Sequence, residues 1–204
     1  MSTNRVIRLL DILLTVPLLV FFLPLLVLIG IMVWVVDPGP ILFRHRRVGY
    51  QGKAFYCLKF RSMIVDAERK LEEVLASDPA IRAAWLRDHK LPTDPRITKI
   101  GKFLRASSLD ELPQLFNVLR GEMSLVGPRP IVEAEVPRYG RYIANYYAVP
   151  PGVTGLWQIG GRSDTSYRRR VAFDIAFARS RSPGLYIKIL VLTVPAVLLA
   201  RGSY

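Results

Sequence analysis

The sequence is short of the residues that build covalent or metal frameworks. Its single cysteine, Cys57, excludes an internal disulfide and a cysteine-rich zinc site. Two histidines, His45 and His89, leave little for a histidine metal centre. Internal repeats and low-complexity tracts are absent. Acids are scarce too, with 16 Asp and Glu against 29 Lys and Arg in 204 residues, a formal charge of +13. Such a balance calls for an anionic partner: nucleic acid, acidic headgroups or a phosphorylated substrate. Yet 51% of the residues are hydrophobic and mean hydropathy is positive, rare in a soluble nucleic-acid binder. Basic and apolar together point to a membrane surface.

Charge is missing altogether from Ile12 to Val36. As one helix this run would reach ~37 Å, enough to cross a bilayer. A transmembrane span is therefore one reading; a cleaved signal peptide fits less well, since no small-residue cleavage site follows. Pro17 and Pro24 interrupt the run, and proline removes an amide donor and clashes with the preceding turn. A break at Leu23-Pro24 would leave two halves of ~18 Å, each too short to cross. Arg5 and Arg8 precede the run, and Arg44, Arg46, Arg47, Lys53, Lys59 and Arg61 follow it, so both flanks are basic. A hairpin that enters, bends at Pro24 and returns to the same face satisfies both observations. We expect residues 1–40 to form this re-entrant segment and residues 41–204 a catalytic domain at the membrane surface.

The fold expected is α+β and mostly helical, with interfacial amphipathic helices around a small strand element near residues 41–61. "DPGPILF" (37–43) is a turn leading into a strand. In "FYCLKFRSM" (55–63), alternation places Cys57, Lys59 and Arg61 on one face, where two cations could hold a phosphate or simply meet water. Residues 64–76 and 80–89 read as helices. In residues 91–105, Ile97, Ile100, Phe103 and Leu104 recur at helical spacing among Lys99, Lys102 and Arg105, a pattern for an interfacial helix or an ordinary packed one. The apolar run 185–200 is short for a span and reads as an interfacial or core helix, and "YRRR" (167–170) as facing headgroups or water.

The acids that remain are not scattered. "SSLDELPQLFNVLRGEMSLVGPRP" (107–130) sets Asp110 beside Glu111. Ser108 and Glu111 match a capping box, a frequent pattern. With Ser108 as N-cap, however, Pro113 would delete a needed hydrogen bond. A helix starting at Asp110 avoids this, and would hold the Asp110 carboxylate ionised at the helix mouth, as a nucleophile or Mg²⁺ ligand. Adjacent carboxylates with arginines nearby make a phosphoryl-transfer set. The Pro128-Arg129-Pro130 turn presents one guanidinium suited to phosphate. "PPGVTGLWQIGGR" (150–162) is a glycine-rich loop carrying Trp157, Gln158 and Arg162, weak evidence by itself.

Together, the proline-broken N-terminal run, "KFRSM", "SSLDELPQLFNVLRGEMSLVGPRP" and "PGVTGLWQIGGR" resemble the bacterial sugar transferases, the monotopic phosphoglycosyl transferases. The spacer at 76–105 and the ending "ARGSY" look most like the undecaprenyl-phosphate galactose phosphotransferase branch, including its exopolysaccharide members. The resemblance implies transfer of a hexose 1-phosphate, galactose ahead of glucose, from a UDP-sugar to undecaprenyl phosphate with release of UMP. It implies Asp110 as nucleophile, forming a covalent phosphosugar-aspartate, and Mg²⁺ held by Asp110 and Glu111. Arg129 matches a phosphate-contacting arginine; Lys59, Arg61, Arg105, Gln158 and Arg162 match substrate-side positions. Pro24 matches the membrane break, although Leu23 stands where the family often has serine. The implied setting is the cytoplasmic face of the bacterial inner membrane, in contact with lipid and not nucleic acid, with a homodimer left open. The rival reading is a membrane-tethered basic module that binds anionic lipid or nucleic acid; it gives Asp110 and Glu111 no role.

Overall fold

The computed structural model describes residues 2–77, 81–83, 85, 91, 94–160 and 166–198. The expected helix at 80–89 and Arg162 fall largely or wholly outside these residues. The chain is mostly helical with two small sheets.

The uncharged run forms one helix, α1 (Thr3–Val36), with Pro17 and Pro24 inside it. The two helices expected on either side of Leu23 are thus a single element. A proline costs one backbone bond and strains one turn, and an apolar run this long supplies turns on both sides to carry the helix through. By length and composition α1 suffices to cross a membrane. Its buried positions fall in two groups, Ile7, Asp11, Thr15 and Leu19, then Leu26, Ile29, Gly30 and Val33, with Val20, Phe21, Leu23 and Pro24 exposed between them. Both groups pack on the same body. Near its start, Arg8 donates to the carbonyls of Val118 and Leu119. Asp11, buried, accepts from the Ser124 hydroxyl (2.9 Å), the Leu125 amide (2.8 Å) and the Tyr186 hydroxyl (2.7 Å). Just past its end, Asp37 pairs with Arg61 (3.0 Å) and accepts from the Val65 amide.

β1 (Leu42–Val48) and β2 (Ala54–Phe60) form an antiparallel hairpin in which Phe43 faces Lys59 and His45 faces Cys57. Helix α2 (Ala67–Ser77) follows. Helix α3 (Lys99–Ser107) is capped by the Thr98 hydroxyl, which accepts from the Gly101 amide. Its apolar residues divide: Leu104 is buried and Ile100 packs on the core, while Phe103 is exposed. A 3₁₀ turn (Leu109–Glu111) leads to α4 (Gln114–Arg120) and then β3 (Ser124–Val126). A second 3₁₀ segment (Glu133–Tyr142) and α5 (Ile143–Tyr147) precede β4 (Gly152–Thr154), which pairs in parallel with β3. The strand element expected near 41–61 is therefore joined by a second, unforeseen sheet. Its glycines have a steric cause: a Cβ on Gly152 would lie 2.0 Å from the Gly127 nitrogen. Helices α6 (Leu156–Ile159), α7 (Tyr167–Ser180) and α8 (Pro183–Leu198) complete the fold. α8 buries Tyr186 and Ile189 and exposes Ile187, Val191, Leu192 and Val194.

Candidate active site

The two carboxylates stand opposite β2. Ser108 ends α3 in the left-handed region (φ 59°), where its side chain makes no capping bond, and the chain turns at once into the 3₁₀ turn. No capping box forms, and α4 begins only at Gln114 behind Pro113. The expectation of a helix starting at Asp110 is corrected here: Asp110 sits in a single tight turn between helices, not at the mouth of a long one. Its environment differs accordingly. Asp110 is 8% exposed. Burial raises its pKa, with Glu111 adding to the rise and Lys59 and Arg105 opposing it. Glu111 is half-buried; burial pushes its pKa up, but the Lys59 ammonium, with Arg129 and Arg47 behind it, wins and holds it below the ordinary value.

Lys59 is the shared counter-ion, its Nζ 2.6 Å from Glu111 Oε1 and 3.8 Å from Asp110 Oδ2. Asn117, fully buried in α4, sets that spacing. Its amide donates to the Tyr56 carbonyl (2.8 Å) and accepts from the Leu58 amide (3.0 Å), serving the free edge of β2 as a strand would. Arg105 reaches the site from α3, its Nε donating to Ser62 Oγ (2.8 Å). That approach requires glycine at 101, where a Cβ would lie 1.9 Å from the Ser62 carbonyl oxygen.

The Gly-Pro-Arg-Pro turn docks on the far end of β1, where the Val48 amide donates to the Ile131 carbonyl (2.9 Å). Arg129 thereby comes within electrostatic range of Glu111, its guanidinium 5.4 Å from the Trp157 ring centre. Lys59, Arg105, Asp110, Glu111 and Arg129 thus converge. Arg61 is turned elsewhere, onto Asp37, and Gln158 donates to the Val153 carbonyl. Two groups went unrecognised in the sequence. Arg47 donates to the Pro130 carbonyl and lies 3.8 Å from Glu135, and His45 Nδ1 lies 3.1 Å from Arg47. Burial, then Arg47 and Lys59, lower the His45 pKa, so its ring is neutral at neutral pH. Alternation along β1 carried the signal, since Phe43, His45 and Arg47 share a face; only the hairpin register shows that this face meets Lys59.

Beside the carboxylates an apolar groove of about 1040 Å³ runs between the second half of α1 (Leu26, Val27, Ile31), Phe43 and the Pro113–Phe116 start of α4. Its charged lining is Arg44 and Arg61, and it reaches Phe60, which follows Lys59 in the chain, and Pro113, two residues after Glu111. Among the described residues no cluster of three or more metal-ligating side chains occurs. Two carboxylates nonetheless suit Mg²⁺, which is commonly held by one or two of them together with substrate phosphates.

Comparison with known proteins supplies a family. The model described as "Bacterial sugar transferase" matches residues 2–200. A UDP-galactose-lipid carrier transferase of Erwinia amylovora is 50% identical over 197 residues, 97% of this chain and 41% of that protein. An undecaprenyl-phosphate galactose phosphotransferase of Salmonella typhimurium is 47% identical, covering 97% of this chain and 41% of that protein. The exopolysaccharide production protein ExoY of Sinorhizobium fredii is 47% identical over 95% of this chain and 86% of its own length. The chain thus spans about two fifths of the first two relatives and most of the third.

Proposed function

The chain belongs to the bacterial sugar transferase family, and from there we propose that it moves a hexose 1-phosphate from a UDP-sugar to undecaprenyl phosphate, releasing UMP. The names of the Erwinia and Salmonella relatives favour galactose as the sugar, the Salmonella name favours undecaprenyl phosphate as the acceptor, and that of ExoY favours a part in exopolysaccharide production. The single observation that carries the reading is the buried Asp110 carboxylate, which shares Lys59 as counter-ion with Glu111, while an apolar groove lined by α1 reaches the neighbouring Phe60 and Pro113. A phosphate on an isoprenoid chain needs such a groove, and a sugar nucleotide needs cations such as Lys59, Arg105 and Arg129.

In this reading Asp110 attacks the sugar-linked phosphorus. Burial leaves its carboxylate poorly hydrated, which makes the anion readier to form a bond. The sugar phosphate passes to Asp110, UMP departs, and the acceptor phosphate then attacks the adduct and frees Asp110. Lys59 orients both carboxylates, and Arg129 and Arg105 contribute positive charge for the phosphates. Mg²⁺ would be held by Asp110 and Glu111 with the donor's phosphate oxygens, and when bound it offsets charge on the diphosphate.

The same reading makes α1 re-entrant as one continuous helix that bends at Pro24 and returns to the cytoplasmic face of the inner membrane. The two buried groups flanking an exposed stretch at Pro24, both packed on one body, support it. The test is UMP release from UDP-galactose, UDP-glucose and other UDP-sugars in the presence of undecaprenyl phosphate. UMP should appear fastest with UDP-galactose. Absence of UMP with every donor would overturn the proposal.

A further inference from the structure

The start of α7 runs against helix electrostatics. A helix N-terminus carries partial positive charge and favours acids, yet the first turn here is Tyr167, Arg168, Arg169 and Arg170, with no acid. Arg170 lies with its guanidinium carbon 4.4 Å from the Trp157 ring centre, on the same indole that Arg129 approaches at 5.4 Å. Its Nε is buried and has no hydrogen-bond partner among the described residues. Among the described residues, the acid that faces both arginines is Asp174, one turn along α7, and it is already engaged by the Tyr139 hydroxyl at 2.7 Å. Burial pushes the Asp174 pKa up to about 7, so at neutral pH it is only partly ionised and offsets the Arg170 charge only in part. Like charges gathered on one ring, beside a helix N-terminus and with a spare buried donor, describe a site for anionic oxygen.

We propose that Arg170, held on Trp157 beside Arg129, binds the nucleotide-side phosphate of the donor. This assignment rests on the transferase reading above. A diphosphate donor presents two phosphoryl groups. Arg129, nearer Glu111, faces the sugar-linked phosphorus that is attacked, and Arg170 faces the other. In that step a bond forms between an Asp110 carboxylate oxygen and the sugar-linked phosphorus, and the bond from that phosphorus to the bridging oxygen breaks. The electron pair stays on the bridging oxygen and departs on the nucleoside monophosphate, next to the Arg170 charge. Trp157 is then a positioning residue for both guanidiniums.

The test uses the purified full chain, with binding of radiolabelled UMP by equilibrium dialysis, KM for UDP-galactose, and inhibition by galactose 1-phosphate. Thermal unfolding checks that each variant folds. Arg170→Ala should weaken UMP binding and raise KM about tenfold or more, the worth of a hydrogen bond to a charged group. Inhibition by galactose 1-phosphate should stay within about twofold, and Arg170→Lys should recover part of the loss, since it restores charge without the planar fork. UMP affinity unchanged in a folded Arg170→Ala protein would overturn the assignment. So would an equal loss for UMP and galactose 1-phosphate, because Arg170 would then merely support Arg129. A wild type that releases no UMP from any donor overturns the transferase reading itself, and the assignment with it.

Discussion

Asn117→Asp changes one atom type at a position with no exposed surface, and its cost can be worked from three contacts. The bond accepted from the Leu58 amide survives, because a carboxylate oxygen still accepts. The two donated bonds do not. The contact with the Tyr56 carbonyl at 2.8 Å and that with the Glu122 carboxylate at 2.6 Å become oxygen facing oxygen. Losing a neutral bond costs about 1 kcal/mol and a bond to a charged group about 1.5–3, so the loss approaches about 4 kcal/mol before any repulsion. Total stability is typically about 5–15 kcal/mol, which makes this a large share. The sign with pH follows. Burial and Glu122 raise the folded-state pKa of the introduced carboxyl above its unfolded value, so the protonated form folds without the charge penalty. The destabilisation should be smaller below about pH 4, where the single O–H restores one of the two donated bonds, and grow as pH rises through the folded-state pKa. Urea unfolding in detergent micelles, followed by far-UV circular dichroism at pH 5 and 7.5, measures it. UMP release should fall as well, since Asn117 sets β2, and hence Lys59, against the carboxylates. A variant within about 0.5 kcal/mol of wild type at pH 7.5 would refute this role for Asn117.

Asp174 gives the opposite experiment. Its folded pKa near 7 lies above the unfolded value near 3.8, so the native state binds the extra proton and stability falls between about pH 4 and 7. Asp174→Asn keeps an acceptor for Tyr139 and should remove that fall, a gain of about 4 kcal/mol at pH 8 and none at pH 4; equal stability at both would contradict it. For topology, a cysteine placed at residue 3 and another at residue 50 should both be shielded from an impermeant thiol reagent added outside. Buried Cys57, its thiol pushed up to about 11, gives no background. Labelling at residue 3 alone would show a span, and Pro24→Ala should move α1 toward one by restoring a helix bond. UMP release should stop with EDTA and return with Mg²⁺; full turnover in metal-free buffer would remove the metal from the account.

How much of this was legible depends on how local each signal is. The strand at 55–63 follows from its alternation, and Asp110, Glu111 and Arg129 stood out by their chemistry, whereas Lys59 was tied to the site only by the family resemblance. The turn holding Asp110 was not legible, because it depends on Ser108 taking a left-handed conformation that non-glycine residues seldom adopt. Lys59 and Arg61 share a strand face in the pattern, yet Arg61 lies one residue beyond β2 and turns to Asp37, a partner 24 residues earlier. The β3–β4 pair rests on two three-residue strands, too short for periodicity; its only trace was the spacing of Gly127 and Gly152, whose reason appears when the backbones touch. Arg47 and His45 needed the register as well as the pattern. Long-range pairing, and not local propensity, decided each of these.

The central claim is that Asp110 becomes covalently attached to the sugar phosphate. Asp110→Asn keeps the shape and removes the charge, so the protein should fold while a neutral amide cannot usefully attack phosphorus. The direct measurement is retention of label on protein incubated with UDP-galactose radiolabelled in the sugar, in the absence of undecaprenyl phosphate. Wild type should carry label that peptide mapping places at Asp110 and that adding the lipid phosphate discharges, and the Asp110→Asn protein should carry none. A folded Asp110→Asn protein that still retains label, or still releases UMP at a substantial rate, would contradict the assignment of Asp110 as the nucleophile.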